Sequence, residues 1–336
     1  MYLLSIVTRL FHFLPGEVSH HLALDGLKTL HRLGFLNILL GKRIKEEEIL
    51  KNPNDVRTYE NKLGIAAGLD KDGEYIDCLA ALGVGFIEVG TVTPKSQYGN
   101  AKPRLFRNRK DKSLLNRLGF NNNGVESLVE NLKTRTSTIP IGVSIGKNFD
   151  TINEEAYQDY LFCMEKVYKY SNYIAINISS PNTLELRNLT NKEFLIDLIC
   201  KIKEKQNLLS KSFKYVPVFI KISPDEDQQA LKEICKCVID YKIDGIITSN
   251  TTIDHSDKNG CGGLSGSPLK DKATENLRFV KDIVGNRIPI IASGGVMSVS
   301  DYQEKINAGA DLVQIYTGFI FEGPKLIKDI LKKKLS

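Results

Sequence analysis

A chain of 336 residues with 42% hydrophobic content is long enough for one large α/β barrel plus an appendage, or for two ordinary domains. Its 46 basic and 40 acidic residues leave a formal net charge of +6, a weak excess that Lys42-Arg43 and Lys332-Lys333-Lys334 largely explain and that argues against dedicated nucleic-acid binding. The six cysteines are scattered and the five histidines dispersed, so no metal-ligand cluster is expected, and a reduced, cytosol-facing protein is the plain reading.

Residues 2 to about 40 form a separate unit. Apolar residues recur there at helical spacing (Leu3, Ile6, Val7, Leu10, then Val18, Leu22, Leu27, Leu30, Leu33), with Pro15-Gly16 breaking two helices. The segment is not read as a signal peptide, because no basic stretch precedes the apolar run, no small-residue cleavage site follows it, and Arg9 interrupts it. No run approaches the roughly 18 apolar residues of a membrane span. Two readings stand: a cap packed on the outside of a barrel, or a module with surplus apolar surface that dips into a membrane interface or forms an apolar tunnel.

From about Leu63 onward, short β-branched runs alternate with amphipathic stretches. Eight candidate strands begin at Gly64, Gly85, Ile141, Tyr173, Val216, Gly245, Ile288 and Leu312. Their nearly continuous apolar character fits parallel strands covered on both faces, and eight such units favour an α/β fold of the (β/α)₈ TIM-barrel class over an open sheet. Asp70-Lys71, Thr91, Asn177, Ser180, Lys221, Asn250 and Tyr316 all fall at or just past a strand's carboxyl end, where the strands of a barrel converge on one mouth.

The motifs there carry a bland and a sharp reading each. Ala66-Ala67-Gly68-Leu69-Asp70-Lys71 is either a tight βα turn or a small-residue loop that lets backbone approach a flat ligand. Asn116-Arg117-Leu118-Gly119-Phe120-Asn121-Asn122 reads as an amide-rich turn, yet amides also suit the alternating N–H and C=O edges of a pyrimidine-like ring. Asn177-Ile178-Ser179-Ser180-Pro181-Asn182-Thr183 is a helix-capping turn or a reactive hydroxyl flanked by amides. Lys221 ends an apolar strand, so its ammonium needs either an ion pair or an anionic cofactor. The glycine turns at Gly262-Gly263-Leu264-Ser265-Gly266 and Ser293-Gly294-Gly295, with Tyr316-Thr317-Gly318, fall in late barrel units, whose loops often bind phosphate through backbone N–H groups.

In this order, the blocks resemble class 2 dihydroorotate dehydrogenases, the quinone-using, membrane-associated class. The resemblance runs through Ala67 to Lys71, Gly90-Thr91-Val92-Thr93-Pro94, Asn116 to Asn122, Asn177 to Thr183, Gly262 to Gly266 and Gln314 to Phe319, which is nearly the whole chain. It implies FMN as cofactor and oxidation of (S)-dihydroorotate to orotate in de novo pyrimidine synthesis, with a membrane quinone as final acceptor. It assigns Ser180 as catalytic base, with Phe120, Thr183 and a bound water as its proton relay. Substrate would meet Lys71, Asn116, Arg117, Leu118, Gly119, Phe120, Asn177, Asn182, Asn250 and Thr251. FMN would meet Ala67, Gly68, Leu69, Thr91, Ser144, Asn177, Lys221, Ser249, Gly266, Gly295, Tyr316 and Thr317, with Lys221 near flavin N1.

Two positions depart from the family's usual pattern: Ser144 replaces Asn, and Ser249 replaces Thr. Both keep hydrogen-bonding capacity. The resemblance also makes residues 1–40 the membrane-associating quinone-tunnel module and residues 41–336 the FMN-binding barrel, with His20, Arg107 and Tyr316 on the quinone side. A peripheral location on the cytoplasmic face of a bacterial inner membrane follows, with no obligate protein partner inferred. A class 1-like enzyme would carry Cys at position 180 and lack the helical extension, and this chain has neither feature. A non-redox barrel would explain the late glycine turns but not Lys221 or the amides, and a membrane-recruitment module on an inactive barrel is the non-enzymatic alternative.

Overall fold

The computed structural model describes residues 8, 10–40, 54–183 and 186–334. The expected helix over residues 2 to 7, the 40/41 domain boundary and Lys42-Arg43 lie outside or against the edge of these residues. Strands β1 (Leu63–Ile65), β2 (Phe86–Val92), β3 (Leu105–Asn108), β4 (Ser113–Asn116), β5 (Ile141–Ile145) and β6 (Tyr173–Asn177) occupy the first half. The second half adds β7 (Val218–Ile222), β8 (Gly245–Thr248), β9 (Gly263–Gly266), β10 (Ile290–Ser293) and β11 (Leu312–Ile315). Eight of them close into a parallel barrel in the order β1-β11-β10-β8-β7-β6-β5-β2, so all eight expected barrel strands are present.

Two-sided burial and a filled lumen close the barrel. Its strands are buried along their whole length, as two-sided coverage requires. Inside, the rings of Phe86, Tyr173 and Phe219 fill the lumen, and glycines on neighbouring strands make room for them. A Cβ at Gly142 would lie 2.0 Å from the Tyr173 ring, one at Gly64 2.4 Å from Phe86, and one at Gly245 2.2 Å from Phe219. The Tyr173 and Phe219 ring centroids sit 5.3 Å apart in a tilted pair, worth about 0.5–1.5 kcal/mol beyond the area they bury.

Helices wrap the barrel: α1 (Gly16–Arg32), α2 (Phe35–Leu40), α3 (Ile76–Ala80), α4 (Val125–Thr134), α5 (Ala156–Val167) and α6 (Lys192–Leu209). Beyond them come α7 (Gln228–Asp240), α8 (Lys270–Val284), α9 (Val299–Asn307), α10 (Thr317–Glu322) and α11 (Pro324–Lys334). The break expected at Pro15-Gly16 is where α1 begins. Gly16 also allows α1 to approach β3 closely, since a Cβ there would fall 2.8 Å from Leu105 Cγ. The Arg104 guanidinium pairs with Glu17 at 2.8 Å and ties the same helix down.

Beside the barrel lies a three-stranded antiparallel sheet in the order β3-β4-β9, which local pattern in the sequence did not reveal. Asn116 ends a strand rather than sitting in a loop, and Gly263 to Gly266 is a strand paired with it, Asn116 lying opposite Gly263.

Candidate active site

The carboxyl ends of the barrel strands surround a cleft of about 960 Å³ that opens to solvent. Asn177, the last residue of β6, donates through Nδ2 to Thr91 Oγ1 on β2 at 2.9 Å, and its Oδ1 accepts from Asn250 Nδ2 at 3.2 Å. Thr91 in turn shares a 2.8 Å hydroxyl contact with Ser144. A buried amide held on both sides has one orientation, which is what recognition of a ring edge requires.

The next residues divide the two serines. Ser179 is fully buried, and its hydroxyl donates to the Lys221 carbonyl at 2.6 Å and accepts from Asn250. Ser180 lines the cleft, and its Oγ accepts from the Asn182 backbone N–H at 3.3 Å. Pro181 follows directly, and its ring favours an extended backbone at Ser180.

Opposite stands a wall of amides. Asn182 Nδ2 donates to Asn116 Oδ1 at 2.9 Å, and Asn116 Nδ2 donates to the Gly263 carbonyl at 3.0 Å. Leu118, Gly119 and Phe120 continue that wall, and Asn250 with Thr251 closes it from the loop after β8. Phe120 holds φ at 52°, a left-handed conformation that costs a non-glycine residue about 1–2 kcal/mol. The Asn122 side chain secures it by donating to the Phe120 carbonyl at 2.7 Å. Lys71 supplies the cation. Burial, and then the nearby Arg104 charge, lower its ammonium to about 8, while its Nζ donates to Asn121 Oδ1 at 2.6 Å.

The other side of the cleft fits a flat phosphorylated cofactor. Ala67, Gly68, Thr91, Asn177, Lys221, Ser249, Gly266, Gly295, Tyr316 and Thr317 all line it. Gly294 and Gly295 take φ of 99° and 75°, a conformation open to glycine. A Cβ at Gly295 would lie 2.2 Å from Lys270 Cα, so the turn after β10 packs directly on the start of α8. Ser249 Oγ and Gln314 Oε1 are buried without a hydrogen-bond partner among the described residues, and both residues line the cleft. Such oxygens are costly unless a ligand satisfies them, and a flavin ring edge carries both N–H and C=O groups.

Of the expected substrate and FMN residues, three do not line this cleft, and neither does Thr183 of the expected relay. Ser144 stands behind Thr91. Arg117 turns outward, its guanidinium 4.8 Å from the Phe106 ring centroid and its Nη1 donating to the Asn259 carbonyl at 3.1 Å. Leu69 faces a second, mostly apolar cavity of about 1000 Å³ beneath α1. His20 and Arg107 line that second cavity, whereas Tyr316 lines the first.

Burial lowers the His20 imidazole to about 3, so it is neutral near pH 7. Arg107 Nη2 donates to Ser19 Oγ at 2.7 Å, while its buried Nε has no partner among the described residues. Gly68 lines the first cavity and Leu69 the second; Asn116 and Leu114 of β4, and Thr317 and Phe319 of α10, divide in the same way. The same three segments thus form walls of both cavities.

Sequence reasoning overlooked the floor of the cleft. Glu88 of β2 is fully buried, 3.2 Å from Lys221 Nζ, and accepts from Tyr173 OH at 2.9 Å and Gln314 Nε2 at 2.8 Å. The signal was present, because a carboxylate interrupting the apolar run Phe86-Ile87-Glu88-Val89 needs a partner as much as Lys221 does.

A family model described as dihydroorotate dehydrogenase matches residues 52–335. A relative from Aliivibrio salmonicida, named dihydroorotate dehydrogenase (quinone), is 48% identical over 327 residues, covering 95% of this chain and 96% of its own. One of the same name from Pectobacterium atrosepticum is 53% identical over 281 residues, covering 82% and 84%. Among solved structures, a complex of the Eimeria tenella enzyme with ferulenol superposes with a TM-score of 0.83 at 32% identity, covering 94% of this chain and 90% of the other.

Proposed function

This chain belongs to the dihydroorotate dehydrogenase family, and on that premise we propose that its barrel mouth holds FMN and that Ser180 takes the substrate's proton. The reaction is the oxidation of dihydroorotate to orotate in pyrimidine biosynthesis, with a quinone as final electron acceptor. The family is flavin-dependent. The observation that supports the assignment best is the paired arrangement of one cleft rich in amides and cations and one more apolar cavity sharing three walls, as two half-reactions with unlike substrates require.

When bound, FMN supplies the two-electron acceptor that takes hydride from C6 of the substrate and hands the electrons on to quinone. The remaining work falls to the chain's own side chains. Lys71 attracts the substrate carboxylate, and the amides of Asn116, Asn177, Asn182 and Asn250 orient the ring. Ser180 Oγ takes the C5 proton. A serine alcohol is a poor base, so its own proton must leave as the new one arrives. Thr183 Oγ1, buried and unpartnered among the described residues, suits a water-mediated exit, with Phe120 shielding the site from bulk solvent. For FMN, the glycine turn at Gly294-Gly295 and the start of α10 would hold the phosphate, and Thr91, Asn177, Lys221 and Ser249 the ring.

For the second half-reaction, quinone occupies the cavity lined by His20 and Arg107. A neutral imidazole and a guanidinium N–H without a partner among the described residues suit a carbonyl oxygen in otherwise apolar walls. Quinone dependence implies membrane association, and no helix among the described residues is long and apolar enough to cross a membrane. The proposed contact is peripheral, through Leu10, Phe13, Leu22, Phe35 and Ile38, all exposed around the entrance helices. The cytoplasmic face of a bacterial inner membrane is the proposed side. Purified protein should carry a flavin visible spectrum and release one equivalent of FMN on denaturation. A colourless protein that takes up no FMN would overturn the cofactor assignment.

A further inference from the structure

The floor of the cleft holds a charge arrangement that the catalytic scheme does not use. Lys221, on β7, lines the cleft with only 5% of its surface exposed. Beneath it, Glu88 reaches across the barrel from β2 and touches side chains of three other strands: Lys221 of β7 at 3.2 Å, Tyr173 of β6 at 2.9 Å and Gln314 of β11 at 2.8 Å. Gln314 Nε2 also lies 3.2 Å from Tyr173 OH, closing the ring of contacts. Glu88 and Tyr173 do not line the cleft, whereas Lys221 and Gln314 do.

A fully buried ion pair is poor evidence for stability, because desolvating both charges offsets most of their attraction. A packed apolar residue would serve the barrel as well. The hydrogen bonds from Tyr173 and Gln314 nevertheless satisfy the second carboxylate oxygen, and the carboxylate holds the Tyr173 phenol proton, whose loss burial already opposes. The Glu88 carboxylate is thus held through both oxygens at a fixed distance from the Lys221 ammonium.

We propose that Glu88 is a positioning residue that fixes the Lys221 ammonium at the floor of the mouth and partly neutralises it, thereby setting the redox potential of the bound flavin. This rests on the proposed binding of FMN above Lys221. A lone buried cation there would favour strongly the negative charge that the ring gains on reduction. The carboxylate 3.2 Å behind it weakens that preference and keeps the flavin a ready donor to quinone. Tyr173 and Gln314, by hydrogen bonding to the carboxylate, moderate the opposing charge in turn.

The experiment is an anaerobic redox titration of FMN-loaded wild type, Glu88→Gln and Tyr173→Phe, with sulfite titration of the same proteins as a second probe of positive charge near the ring. Glu88→Gln should favour reduced over oxidised flavin at least about tenfold, which is about 30 mV upward for a two-electron couple, and should tighten sulfite binding by a similar factor. Tyr173→Phe removes a hydrogen bond from the carboxylate and should move both readouts the opposite way. Opposite signs support the proposal, and a merely structural role predicts no such pattern. Unchanged potentials in both variants overturn it. If Glu88→Gln fails to fold, the sign of the Tyr173→Phe shift decides: downward supports the proposal, unchanged or upward overturns it. Wild-type protein that takes up no FMN would instead refute the cofactor assignment, an outcome visible before any variant is made.

Discussion

Asn182 donates its side-chain amide to Asn116 Oδ1 at 2.9 Å and so joins the loop after barrel strand β6 to the end of β4 in the antiparallel sheet. Each amide fixes the other's orientation, and Asn116 is anchored again on the Gly263 carbonyl. Asn182→Ala leaves the Asn116 oxygen unpaired and removes one proposed ring contact. A loss of about 1–3 kcal/mol, roughly fivefold to 150-fold in kcat/KM for dihydroorotate, is expected. Flavin content should stay at the wild-type level. Steady-state kinetics with a flavin assay of the same sample checks both.

Lys71 gives the site a pH dependence whose sign can be worked out. Burial lowers its ammonium to about 8, so the cation is present below that pH and lost as pH rises through it. Attraction to the anionic substrate follows the same course. KM for dihydroorotate should therefore climb above about pH 8, with kcat less affected, since a bound carboxylate favours the charged form. In Lys71→Met, KM should be raised about tenfold or more and should lack this rise. A variant that retained the alkaline rise would show that another group is responsible.

Thr183 tests the proton exit. Thr183→Val preserves shape but removes the buried hydroxyl, which has no partner among the described residues. The rate of flavin reduction by dihydroorotate should fall about a hundredfold, the scale of a lost proton-transfer partner, with FMN still bound. An unchanged stopped-flow rate would remove Thr183 from the relay.

The two cavities should be separable by mutation. Ala23 lines the apolar cavity beneath α1 and not the amide-lined cleft. Filling that space with Ala23→Phe should lower quinone-dependent turnover at least about tenfold through steric exclusion, while turnover with a soluble dye that takes electrons elsewhere stays near wild type. Equal loss with both acceptors would argue that the cavity is not the quinone site.

Much of this architecture was legible in the residues because barrel strands buried on both faces read as nearly continuous apolar runs, as Tyr173 to Ile176 and Val216 to Ile220 show. The antiparallel sheet was not. Leu105–Asn108 is half-exposed throughout, and Gly263–Gly266 has two glycines in four residues, so neither carries a strand period. Their pairing with Ser113–Asn116 is a long-range event that local pattern does not encode. Within the site, polar residues at strand ends were visible by position, which is why most of them meet at the mouth. Arg117 and Leu69 were carried along by motif neighbours, although alternation along the chain turns them to other surroundings. The floor was missed because Glu88 and Lys221 lie on distant strands, and only barrel closure brings them to 3.2 Å.

The most direct measurement is anaerobic mixing of the flavin-loaded protein with dihydroorotate, followed by the visible spectrum. Wild type should bleach rapidly and recover its colour on adding a quinone. Ser180→Ala should keep its FMN and bleach at least about a hundredfold more slowly. Wild type that failed to bleach would contradict the catalytic account, and Ser180→Ala bleaching at the wild-type rate would contradict the role given to Ser180.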